Sequence, residues 1–82
     1  MNLRERIEEI KTVEDAEEQI VLAKKYAIRL RNLAKKQPSL AEKLSVQKKV
    51  ENAEKTTRDL RRLIWDIEDA LKGGLPAISV LS

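Results

Sequence analysis

Side chains able to do chemistry are few in this chain, and those most often used in catalysis are missing. None of the 82 residues is a histidine or a cysteine. Imidazole bases, thiolate nucleophiles and the usual zinc ligands are therefore excluded. The four serines, Ser39, Ser45, Ser79 and Ser82, have no evident activating base in the sequence. The one Gly-Gly pair, Gly73-Gly74, closes a helical pattern and does not join a strand to a helix, so it does not read as a phosphate-binding loop. Carboxylates do cluster, as Glu5, Glu8 and Glu9 and as Glu14, Asp15, Glu17 and Glu18. A helical di-iron site would require a Glu-x-x-His motif from facing helices. Without histidine these groups read as solvated acidic helix starts, which the helix dipole favours. The chain is thus expected to be non-enzymatic, with no catalytic residues, no metal site and no cofactor.

Basic residues give a second pattern. From Lys24 to Arg62 there are thirteen basic and four acidic residues, a local net charge of +9 in a chain whose overall charge is +3. Lys35, Lys36, Lys43, Lys48 and Lys49 stand close to Pro38, where a turn is expected, and together could neutralise several nucleic-acid phosphates. Only Tyr26 and Trp65 are aromatic, which leaves little for base stacking. The more economical reading is a solvated basic end.

Helices must position all of these groups. Pro38 removes an amide donor and pushes Gln37 out of the helical region. Ser39 with Glu42 then forms a capping-box pattern for a new helix. Gly73-Gly74 followed by Pro76 ends that helix. Asn2 with Glu5, and Thr12 with Asp15, mark two earlier starts. Three helices follow, at about residues 2–11, 13–36 and 40–72, within a 1–72 helical domain trailed by an uncharged tail, 73–82. The apolar steps from Ile10 to Val13 to Ala16 skip one residue of a heptad, which favours a break near Thr12 over one continuous helix from Asn2 to Lys36.

Two apolar seams run along the long helices in steps of three and four. One comprises Val13, Ala16, Ile20, Ala23, Ala27, Leu30 and Ala34, the other Val46, Val50, Ala53, Thr57, Leu60, Ile64, Ile67 and Leu71. Folding at Pro38 sets Leu30 opposite Val46, Ala27 opposite Val50, Ala23 opposite Ala53 and Ala16 opposite Leu60, and carries Ile7 and Ile10 onto Leu71 and Ile67. Charges flanking the seams suit this register, with Lys35 facing Glu42, Lys25 facing Glu51, Glu18 facing Arg58, Asp15 facing Arg61 and Glu14 facing Arg62. Surface pairs of this kind contribute only ~0–1 kcal/mol each, so they select register more than they stabilise. The expected fold is all-α, a long antiparallel, coiled-coil-like helical hairpin with a short N-terminal helix.

That hairpin has apolar surface to spare. Leu22, Tyr26 and Leu33 flank the first seam on one side, Val21 and Ile28 on the other, so helix 13–36 is expected to self-associate, as a homodimer forming a helical bundle. The tail carries Leu75, Ile78, Val80 and Leu81. Folded back, it would cover Trp65 and the end of the bundle; extended, it would offer a partner protein a strand or groove ligand. The sequence thus points to a protein–protein interaction or assembly module, with nucleic-acid binding through the turn end as the alternative. No apolar run approaches the ~20 residues of a membrane span, so no membrane partner is expected. Absence of cysteine and of a signal-like N-terminal stretch suggests the cytoplasm.

Overall fold

The computed structural model describes residues 1–82. Helix α1 runs Leu3–Glu8, α2 Val13–Lys35 and α3 Leu40–Lys72, and a short 3-10 turn follows at Ala77–Leu81. There is no strand. Helices α2 and α3 form an antiparallel hairpin about 50 Å long, and α1 and the 3-10 turn pack at its open end.

Each helix begins at a side-chain cap. The Glu5 amide donates to Asn2 Oδ1 (2.8 Å), the Asp15 amide to Thr12 Oγ1 (3.1 Å), and the Glu42 amide to Ser39 Oγ (3.1 Å). The break near Thr12 is real and comes earlier than the caps alone suggest. Asp15 Oδ2 accepts from the amides of both Lys11 (3.0 Å) and Thr12 (3.2 Å). That draws those amides out of α1, which ends at Glu8 and not at residue 11. At the other end of α3, Gly74 adopts a left-handed φ of 78°. The Leu75 amide then reaches the Ala70 carbonyl (2.8 Å) and the Gly74 amide the Leu71 carbonyl (3.1 Å), the paired bonds of a Schellman cap.

The core has two parts. At the open end Ile7, Ile10, Ala16, Ala23, Leu60, Leu63, Ile67 and Ala77 form one cluster, with Leu3, Ile20, Ile64, Leu71, Ile78 and Val80 packed against it. Toward the turn a thinner cluster holds Ala27, Leu30, Val50 and Ala53, with Tyr26 at its edge. The one polar residue of the α3 seam, Thr57, is buried and donates its hydroxyl to the Ala53 carbonyl (3.1 Å), so it brings no unsatisfied group inside.

Three details depart from the sequence reading. None of the five expected inter-helix charge pairs forms. The single ion pair between the long helices is Arg31–Glu54 (3.0 Å), and Leu30 packs in a cluster with Val50 and Ala53 while Val46 belongs to neither cluster. Relative to the expected register α3 is thus displaced by about one turn. Surface charges are too weak to hold a register against the burial of Leu30 and Ala34. Second, past Leu60 the buried stripe passes to Leu63, Ile67 and Ala70, leaving Ile64 and Leu71 half-buried. Here α3 faces α1 and the 3-10 turn as well as α2. Third, the tail folds back without covering Trp65, which is 75% exposed. Trp65 and Ile67 are two residues apart, hence about 200° around the helix, and Ile67 is fully buried.

The Ser39 cap sits at the only connection of the hairpin. Ser39→Ala should lower unfolding free energy by about 0.5–2 kcal/mol, measured by urea denaturation; an unchanged midpoint would show that the hydroxyl does not hold the helix start.

Candidate interaction surfaces

With a turn every 3.6 residues, the exposed side of α2 divides into two flanks. Leu22, Tyr26, Arg29 and Leu33 follow one another in steps of four, three and four along the flank next to α1. Val21, Lys24, Ile28 and Arg31 do so in steps of three, four and three along the opposite flank. The five residues expected to drive self-association therefore do not form one patch. Leu22 and Leu33 are exposed with Tyr26 half-buried between them, whereas Val21 and Ile28 lie on the far side of the helix.

Helix α1 accounts for the state of Tyr26. Arg6 is buried, its Nη1 donates to Gln19 Oε1 (3.1 Å), and its guanidinium carbon lies 5.9 Å from the Tyr26 ring centroid. A weakly hydrated guanidinium held by a side-chain amide and an aromatic face is a tolerable buried cation. Met1 and Asn2 lie beyond it with Tyr26, Lys49, Asn52 and Ala53 around a shallow recess. One groove of the hairpin is thus occupied by α1 along part of its length.

The opposite groove is open. It encloses about 310 Å³ and is lined by Lys24, Ala27, Ile28 and Arg31 from α2 and Glu54, Thr57, Arg58 and Arg61 from α3. Trp65 continues the 54–58–61 stripe one step further, and Val21 continues the α2 stripe toward the same end. Trp65, Arg58 and Arg61 were not singled out as site residues from sequence. The steps 54, 58, 61 and 65, parallel to the seam and one position off it, carry the signal.

The lysines of the alternative reading lie near the turn end. Lys35, Lys36, Lys48 and Lys49 are exposed and Lys43 is half-buried. Neighbours in sequence such as Lys35 and Lys36, or Lys48 and Lys49, point about 100° apart. Lys35 and Lys43 line one recess together with Glu51 and Glu54, and Lys36, Lys48 and Lys49 lie outside it, so the five do not form one patch. In the tail, Ile78 and Val80 pack against the open-end cluster, while Leu75 and Leu81 remain exposed. The largest concavity, about 840 Å³ and widely open, lies between α1 and this tail. Its charged groups are Arg4 and Glu8, paired at 3.2 Å, and Lys11. No three carboxylates come together in a way that could hold a metal ion. Asp59 is the one carboxyl held clearly below its usual range. The largest cause is its hydrogen bond with Lys55 (3.1 Å); burial opposes it, and the charge of Lys55 and the hydrogen bond and charge of Arg62 each add a smaller lowering effect. It is the signature of a surface ion-pair cluster.

Fold and surfaces together define an all-α helical hairpin. Comparison with protein-family models, with curated proteins and with solved structures finds no match. No helix is long and apolar enough to cross a membrane.

The contrast between neighbours on α3 is measurable. Ile67→Ala should cost about 2–5 kcal/mol through the cavity it leaves in the open-end core, whereas Trp65→Gln should change stability by no more than about 0.5 kcal/mol. Chemical denaturation of the two variants checks this, and a large loss for Trp65→Gln would place that ring inside the fold.

Proposed function

We propose that this chain is a non-enzymatic helical interaction module that self-associates through the α1-side flank of α2. The observation that carries this reading is the stripe Leu22–Tyr26–Arg29–Leu33, whose two leucines are exposed on a rigid two-helix rod. An antiparallel copy with its two-fold axis between Tyr26 and Arg29 would set Leu22 of each chain against Leu33 of the other. Tyr26 would then face Arg29, a favourable cation–aromatic pairing. Glu18 and Lys36 come within one residue of facing each other in the same register. A two-fold interface repeats each of these contacts twice. The stripe is short compared with the ~1,200–2,000 Å² of a stable interface, so the association is weak and concentration-dependent. The absence of cysteine suits a reducing compartment such as the cytoplasm.

Light scattering over a dilution series tests the reading. At high micromolar concentration the mass should rise toward twice 9.4 kDa, and the double variant Leu22→Glu, Leu33→Glu should return it to the monomer value with unchanged helicity. A parent chain at 9.4 kDa throughout would end the self-association reading.

Binding of nucleic acid at the turn end has less support, because its five lysines do not form one patch and the recess that Lys35 and Lys43 share also holds Glu51 and Glu54. A duplex backbone also offers nothing to the exposed leucines there, Leu40 and Leu44.

A further inference from the structure

The groove on the side of the hairpin away from α1 has a different chemistry from the flank that carries self-association. Four cations line it, Lys24, Arg31, Arg58 and Arg61, against the single carboxylate of Glu54. Arg31 already holds that carboxylate at 3.0 Å. The remaining three cations have no partner among the ion pairs of the chain. Interleaved with them are exposed apolar groups, Ile28 at 42%, Val21 at 50% and Trp65 at 75%. Apolar group and cation alternate at helical spacing on the α2 wall, Val21, Lys24, Ile28 and Arg31, while the α3 wall carries Glu54, Arg58 and Arg61 and continues to Trp65.

We infer that this groove docks an acidic amphipathic helix from another protein, which lies along the hairpin as a third long helix. The inference rests on the reading of the chain as an interaction module and names a second partner class for it. Two parallel walls of helical side chains present ridges that a third helix can pack between. The apolar face of that helix would rest on Ile28, Val21 and Trp65, and carboxylates on its borders would meet Lys24, Arg58 and Arg61. A second copy of this chain does not fit a symmetric contact here, since the same three cations would face their own mates across the axis. Nucleic acid satisfies the cations but gives Val21 and Ile28 no apolar counterpart.

Trp65 is the only tryptophan and reports occupancy directly. The full chain is titrated with a synthetic 21-residue helix bearing leucine at its heptad seam positions and glutamate on both borders, and with the same peptide carrying lysine in place of glutamate. The acidic peptide should shift Trp65 emission to the blue and bind at least tenfold more tightly than the basic one, with affinity falling as salt rises. The double variant Arg58→Glu, Arg61→Glu should lose at least tenfold for the acidic peptide while keeping its helical circular dichroism. The peptide swap leaves the protein unaltered, so the result does not depend on the variant folding. Equal affinity for the two peptides, absence of any blue shift, or tighter binding of oligo(dT) than of the acidic peptide would each overturn the inference. If the inference fails while light scattering still shows a dimer, the self-association reading stands.

Discussion

The carboxylate of Asp15 accepts the amides of Lys11 and Thr12 while the Thr12 hydroxyl accepts the Asp15 amide, and the chain can reverse there because those donors no longer serve a continuous helix. Much of the rest depends on that reversal. A helix running straight from Asn2 to Lys36 would lay Ile10 along the last turns of α3, carry Leu3 beyond its end at Lys72, and leave the open end of the hairpin without a third layer. Turned back, α1 delivers Ile7 and Ile10 to the same cluster as Leu60, Leu63 and Ile67, and brings Arg6 over Tyr26.

That delivery matters because the hairpin alone is poor in apolar volume. Five alanines, Ala16, Ala23, Ala27, Ala34 and Ala53, line the contact between the long helices. They let two backbones come close, but each removes little area from water. The bulky buried side chains are gathered at the open end, where Ile7, Leu60 and Ile67 are the largest fully enclosed groups. A chain of this size buries a modest fraction of its surface, so the concentration of isoleucine and leucine at one end makes that end the anchor. The turn end, with Leu40 and Leu44 exposed, is held by the Ser39 cap and the small cluster around Leu30 and Val50.

Caps and breaks were legible because they are local. Asn2, Thr12, Ser39 and Gly74 act within a few residues of themselves; Asn2 and Thr12 form the full reciprocal box with Glu5 and Asp15, whereas at Ser39 only the hydroxyl caps and the Glu42 carboxylate does not return the bond. The hairpin was legible too, since two complementary seams on either side of Pro38 leave few other ways to bury them. Register was not, because alanine opposite alanine packs almost equally well one turn away, and the charges enlisted to decide it are flexible and solvated. The side to which the tail folds was equally hidden. Reading Trp65 as something to be covered overlooked that Ile67, two positions on, claims the opposite side of the same helix. Arg6 has a short guanidinium path to Gln19 only after α1 has folded back, so nothing in its sequence neighbourhood signals that it is buried.

The two grooves of the hairpin then differ for a reason that lies in their side chains. On the α1 side the cation Arg6 is enclosed, with an amide and an aromatic face in place of water. On the other side Lys24, Arg58 and Arg61 remain solvated beside the largest apolar side chain in the protein. An indole removes some 150–250 Å² from water when buried, yet Trp65, 75% exposed, gives only the smaller part of that to the fold. α1 cannot reach this groove, because the turn at Thr12 commits it to the other side. The 3-10 turn cannot reach it either, because Ala77 is bound into the cluster around Ile67. The proposed acidic helix would supply that burial, its apolar face against the Trp65 ring and its carboxylates against Lys24, Arg58 and Arg61, which have no partner among the chain's own ion pairs.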